Sequence, residues 1–361
     1  MEGLIAFYLI LFPLGKLTWF LPDIIVLTIA LFNLRKTFIN YFIIVCVFSL
    51  VFSLSIFKIN DILTGFLYLI RFMSYAILSK VIYVKFGQSQ KKRQLLFNCL
   101  ILIGVFIAIF GWVQYFIYPD LRALKSLNWD DHYFRLVSSF LDPAFTGIIL
   151  TLSEILLIIK TAQRKTFFKY FLNIFLIVTI LLTYSRSSFL ALFFALLFLL
   201  FKFKQRFIFI FLSLVLILIP ILPKASSEGT NLTRTYSISQ KFINYDESLK
   251  IISKSPLFGV GFNNICVATT KNYSSHSCSG LDNSILFIIA TTGIIGIVAF
   301  TQMIFLIIKN TKLDNYGWGL MASLVAILIH GMFTETFFYN FILGWMAILI
   351  GITRKKLSFK D

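Results

Sequence analysis

Charge is scarce in this sequence: only 13% of its 361 residues are Asp, Glu, Lys or Arg, and just 15 of them are acidic. With 59% hydrophobic residues beside that deficit, an ordinary soluble domain is excluded and a polytopic membrane protein is indicated. Histidine (three) and cysteine (four) are too few and too scattered for a zinc spacing, so no metal is expected. Cys46 and Cys99 fall in apolar runs, whereas Cys266 and Cys278 share one polar stretch, where a disulfide and two free thiols are both open readings. No Walker motif and no dinucleotide fingerprint is present, so no cofactor is expected. Internal repeats and a low-complexity tail are also missing. The first apolar run lacks a basic leader and a small-residue cleavage site, so a cleavable signal peptide is not expected.

What is present is apolar length. A span needs roughly 20 apolar residues, fewer if short and more if tilted. The runs predict an all-α membrane domain over 1–361, with twelve spans at 3–20, 22–34, 39–57, 61–84, 95–118, 143–159, 167–184, 187–201, 207–223, 283–308, 316–334 and 337–353. The net charge of +18 would point to nucleic acid in a soluble protein, but its distribution follows the positive-inside rule, and no nucleic-acid partner is expected. With both termini cytoplasmic, 19 basic residues crowd the short inside segments, and 12 are spread over the longer outside ones. That orientation makes 119–142 an outer loop and 224–281 a large outer loop. Between them in sequence lies a short outer connection, Tyr184–Ser185–Arg186. Three outer segments are thus expected to meet at one extracytoplasmic cavity.

Arg186 stands between two apolar runs in LLTYSRSSFLALFF. A cation so close to the bilayer must face protein or water, unless it merely snorkels to the interface. Arg135 in FRLVSSFLDPAFTG and Arg234 in NLTRTYSIS add two guanidinium groups on the same side, and guanidinium binds phosphate through paired hydrogen bonds. Each alone reads more simply as a solvated loop arginine. Residues 236–252 place Ile238, Phe242, Tyr245, Leu249 and Ile252 on one helical face, opposite Gln240, Lys241, Asp246, Glu247 and Lys250. Such a helix would lie on the membrane or cap the cavity.

SPLFGVGF follows, with Pro256 ending the helix and Gly259 and Gly261 permitting a tight turn. Next, DNSILFIIATTGIIG puts Asp282, Leu286, Ile289, Gly293 and Gly296 on one face of a span. Asp282 is either a chemical group or a plain N-cap. Arg71 and Glu154 fall inside spans and are candidates to pair with each other. His330 and Glu335 are placed to reach the cavity, and His132 reads as a solvated loop residue.

In its order of motifs, residues 130–300 resemble the superfamily of O-antigen polymerases and O-antigen ligases: the FRLVSSFLDPAFTG segment, the TYSR that opens a span, Arg234 before an amphipathic helix, SPLFGVGF, and the final loop-to-span motif. The resemblance implies a metal-independent glycosyltransferase of the bacterial inner membrane that acts on undecaprenyl-pyrophosphate-linked oligosaccharides at the periplasmic face. A chain-length regulator and a flippase would be its protein partners. By the same resemblance Arg186 and Arg234 would hold the pyrophosphate with help from Arg135; Glu335, from its position at the cavity, is expected to contact substrate. One departure stands out. The ligases begin the last motif with His followed by Asn, Ser or Gln, whereas this chain keeps Asn283, Gly293 and Gly296 in register behind Asp282. That favours a polymerase of O-antigen, capsule or exopolysaccharide repeat units, with Asp282 or His276 handling the acceptor hydroxyl. The ligase remains the first alternative, and a lipid-linked oligosaccharide flippase or other transporter the second. A transporter is expected to show paired repeats and broken helices, and the sequence displays neither.

Overall fold

The structure is a computed structural model, and it describes residues 1–18, 20–34, 40–127, 131–223, 228–269 and 281–355. Among these the chain forms fourteen α-helices and no strand beyond two isolated bridges. In order they are α1 (Glu2–Leu11), α2 (Leu21–Leu31), α3 (Tyr41–Ser53), α4 (Ile59–Ile82) and α5 (Gln90–Ile117). Then come α6 (Pro143–Gln163), α7 (Phe167–Leu181), α8 (Arg186–Phe203), α9 (Arg206–Ile221) and α10 (Tyr236–Lys254). The last four are α11 (Ile265–Thr269), α12 (Ser284–Lys309), α13 (Asn315–Gly331) and α14 (Asn340–Thr353). A helix overlaps each of the twelve expected spans. Among the described residues, five stretches are long and apolar enough to cross a membrane: Ile62–Gly87, Gln90–Ile117, Pro143–Gln163, Arg186–Phe203 and Ser284–Lys309. The first expected span is not one helix, because α1 gives way at Phe12 to a 3₁₀ stretch in which Gly15 has φ 53°.

The described residues fall into two compact units. The first comprises Met1–Ile25, Gln88–Arg234 and Leu313–His330. Its centre is α6, which is buried on nearly every side and packs against α5, α7 and α8. Asp142 caps α6, its Oδ1 accepting from the N–H groups of Ala144 and Phe145, with Pro143 preset for the first turn. Small residues let the helices approach: a Cβ on Gly104 would lie 2.0 Å from Ser153 Oγ, and one on Gly147 would lie 2.4 Å from Ser188 Oγ. At the other end of the unit, Arg93 donates to Asp314 at 2.5 Å and covers the Tyr316 ring. Large side chains such as Phe116, Phe167, Phe168 and Phe201 are exposed, as helices bathed in hydrocarbon require.

The second unit comprises Val26–Gly87, Thr235–Lys312 and Gly331–Asp361. Here α14 packs on α4, α12 on α3, and α10 on α12. Phe42, Phe72, Phe262, Phe287, Phe300 and Phe338 interlock as its core, with mostly edge-on ring pairs. The main irregularity is in α12, which breaks at Gly293 (φ 69°, ψ −169°). The SPLFGVGF turn fills the break. Ile294 N–H donates to Pro256 O, Val260 N–H to Ala290 O, and Gly261 N–H to Thr291 O. Backbone groups released by the break therefore find partners in the turn, the condition for irregular backbone inside a membrane protein. The broken helices absent from the sequence reading thus do occur, at Gly15 and Gly293.

Candidate functional site

In the first unit, three segments distant in sequence meet around guanidinium groups. Segment 131–137 is held from below by Gln114 of α5, whose Oε1 accepts from Val137 N–H and whose Nε2 donates to Tyr118 O. Its Arg135 donates from Nε to Thr183 O at 3.1 Å and from Nη2 to Tyr184 O at 3.4 Å. Arg186 opens α8 behind the cap Ser185, whose Oγ accepts from Ser188 N–H. Its Nη1 donates to Arg234 O at 3.2 Å and to Leu232 O at 3.4 Å, so the half-buried guanidinium turns into protein rather than outward. Arg234 donates to Gly229 O at 2.6 Å, and a Cβ on Gly229 would stand 2.9 Å from Arg135 Cδ. Arg135, Arg186 and Arg234 are therefore gathered in one place, each steadied by backbone carbonyls.

The backbone there is strained. Phe134, Ser138, Leu141 and Tyr184 all have φ between 51° and 55°, a region that side chains other than those of glycine and asparagine seldom enter. Next to Arg135, His132 is not a solvated loop residue. It is 6% exposed, and neither ring nitrogen has a hydrogen-bond partner. Burial, with help from the Arg135 charge and against the opposing pull of Asp131, lowers its pKa to about 4, so the ring is neutral.

The second unit gathers carboxyl groups. Asp282 does not cap α12. The cap is Asn283, whose Oδ1 accepts from the N–H groups of Ile285 and Leu286. Asp282 is left to other partners: Asn244 Nδ2 donates to its Oδ2 at 2.5 Å, and Lys241 Nζ lies 3.9 Å from its Oδ1. Glu335 accepts from Leu281 N–H and lies near Asp282. Its side chain is partly exposed, yet burial pushes its pKa up to about 8, the Leu281 bond opposing and the Asp282 charge assisting. Ser284 ties the two segments: its Oγ donates to Thr334 O and accepts from Thr336 N–H at 2.7 Å. Tyr245 Oη donates to Met332 O at 2.9 Å, and Lys241 also donates to Phe333 O.

These contacts show which side of α10 packs on the protein. Ile238, Phe242 and Leu249 of the predicted apolar face are exposed. The packed face runs through Asn244, Ser248 and Ile251, a spacing of four and three. His276 lies outside the described residues, as does Cys278. Cys266 is disulfide-bonded, while Cys46 and Cys99 are free thiols. In the second unit Arg71 lies over the Tyr68 ring, and in the first Glu154 is fully buried with neither oxygen hydrogen-bonded. His330 is buried in α13. No group of three or more metal-ligating side chains occurs among the described residues.

Helix content, apolar length and lipid-facing aromatics define a multi-pass membrane protein with polar groups collected at two places. Residues 171–301, just over a third of the chain, match the family described as O-antigen ligase. The match supports the superfamily of O-antigen ligases and their relatives, and it spans Arg186, Arg234, His276 and Asp282. No curated protein matches the chain.

Proposed function

We propose that the protein is a repeat-unit polymerase of the bacterial inner membrane, spanning it twelve times with both termini inside. It transfers glycans between undecaprenyl-pyrophosphate-linked oligosaccharides at the outer face. The observation that carries this reading is the gathering of Arg135, Arg186 and Arg234 from three distant segments. Guanidinium groups held by backbone carbonyls are preorganised for a departing diphosphate, where charge develops.

In the reaction, a hydroxyl oxygen of the acceptor sugar bonds to the anomeric carbon of the donor. The bond from that carbon to the diphosphate oxygen breaks, and the arginines take up the charge of the leaving group. The hydroxyl proton passes to a carboxylate, for which Asp282 is the candidate, with His276 as the other. Glu335 lies beside Asp282 and contacts the incoming saccharide. The disulfide at Cys266 favours an extracytoplasmic position for the loop that carries it.

A second reading, transfer of finished polymer to a lipid acceptor, is favoured by the ligase description of the matching family. Asp282 in place of the ligases' histidine argues for polymerisation. Transport is the third reading. The breaks at Gly15 and Gly293 meet one of its requirements, but the Gly293 break is filled by the chain's own turn rather than left to line a cavity.

Deleting the gene separates the readings. Loss of a polymerase leaves single repeat units on the final acceptor, loss of a ligase leaves long polymer on the carrier, and loss of a flippase leaves single units on the cytoplasmic side. Polymer stranded on the carrier would overturn the polymerase.

A further inference from the structure

A buried imidazole with two unsatisfied nitrogens is costly to keep, so its persistence calls for a reason. His132 is such a group. Its place is fixed by a short antiparallel pairing: Leu121 N–H donates to His132 O at 2.8 Å, Phe134 N–H donates to Pro119 O at 2.9 Å, and Asp120 bridges Tyr133. Three residues on, Arg135 grips the carbonyls of Thr183 and Tyr184. Strained backbone at Phe134 and Tyr184 flanks the pair. Left-handed φ at large side chains is costly and collects where a ligand is held. Burial, unmet hydrogen bonds and strain thus coincide beside the arginine site.

We propose that His132 is a saccharide-binding residue of that site, hydrogen-bonding two hydroxyls of the sugar attached to the diphosphate. The inference rests on the glycosyl-transfer reading given above. The chemistry selects the ligand. A neutral imidazole offers one N–H donor and one nitrogen acceptor on different sides of the ring, which two hydroxyls of a sugar complement, one accepting and the other donating. A phosphate oxygen accepts only, and would leave the second nitrogen unmet. With a pKa of about 4 the ring stays neutral throughout the physiological range, as this role requires. The sugar next to the diphosphate is the part of the substrate that the arginines would carry to this place.

The test uses full-length protein in detergent and two probes: purified saccharide-bearing polyprenyl diphosphates from the producing cells, and polyprenyl diphosphate alone. His132→Phe keeps a flat ring and removes both nitrogens, while His132→Gln restores one donor and one acceptor. The expected result is an unchanged or higher melting temperature for His132→Phe, because an unpaired buried polar group has been removed. Its affinity for the saccharide-bearing probe falls about tenfold, that for the bare diphosphate is unchanged, and His132→Gln recovers part of the loss. A ring that only packs, or that holds an internal water, leaves both affinities as in the wild type, which overturns the inference. An equal loss for both probes also overturns it, since His132 would then act on the diphosphate or on the fold. Arg186→Ala is the control for the parent reading, expected to weaken both probes. Wild-type protein that binds neither probe would remove the glycosyl-transfer reading and this inference with it.

Discussion

Single side chains divide the candidate chemistry between anion binding and proton handling. Arg186 offers the sharper test of the first. Its half-buried guanidinium is aimed by the carbonyls of Leu232 and Arg234. Arg186→Lys preserves the charge but not the planar fork, so turnover should fall on the order of a hundredfold with folding intact. Full turnover from well-expressed Arg186→Ala would return the residue to the role of an interface anchor.

For proton handling, Glu335 gives a prediction with a sign. Its carboxyl titrates at about 8 in the folded chain against 4.5 for an ordinary glutamate. Between those values the unfolded chain ionises while the folded chain keeps its proton, so the native state loses stability as pH rises through the window. Glu335→Gln removes that loss. Its melting temperature relative to wild type should therefore climb from pH 5 to pH 8 and level off above, and a difference that stays flat with pH would show the carboxyl to be ordinary. Asp282→Asn probes the neighbouring group. Asn283 already caps α12, so capping cannot explain any loss seen on replacing Asp282. The expected result is a large fall in polymer with an unchanged melting temperature, read by gel profiles of the saccharide. Near-normal polymer would leave His276 as the remaining proton acceptor.

Helices were legible in the sequence because apolar runs report burial in lipid directly, and every expected span meets a helix. Breaks were not. A hydropathy window sums side-chain transfer energies and cannot register a backbone that leaves the helical region, as at Gly15 and Gly293. The amphipathic pattern of α10 left open which face packs on the protein. In water its apolar stripe would turn inward, but beside a bilayer that stripe is free to stay out, and the polar Asn244 and Ser248 go in. His132 was missed because its neighbours Asp131 and Tyr133 read as loop, and burial of a polar residue has no signature in composition. The break at Gly293 can be tested directly. A Cβ there would meet Leu257 O at 2.0 Å, and its φ and ψ are open to glycine alone. Gly293→Ala should cost on the order of 3 kcal/mol and sharply reduce the yield of folded protein. Gly3→Ala, with nothing within 4 Å of the new methyl, should be neutral. Equal yields from the two variants would mean that the turn at Leu257 yields readily and that α12 does not depend on its break.

Across the whole molecule, the proposal requires the arginines, Asp282 and the polar loop to face away from the cytoplasm, because the lipid-linked repeat units are joined there. Charge predicts that orientation. A bilayer with a potential negative inside holds Lys and Arg in short loops on the cytoplasmic side, and the segments 85–94, 160–169 and 202–206 are the basic ones. The native thiols set the background of the measurement. Among the described residues Cys46 is buried, Cys99 is half-buried, and Cys266 is bonded, so a new surface cysteine is read as the labelling gained over the parent protein. Lys250 and Lys91 are both exposed, and the Lys250–Asp246 pair is a surface contact whose loss costs little. In intact cells a membrane-impermeant maleimide should label Lys250→Cys and spare Lys91→Cys until the membrane is opened. The reverse pattern would put α10 and Asp282 in the cytoplasm, where the proposed substrate does not present its sugar. The polymerase reading would fall, whatever the arginine variants had shown.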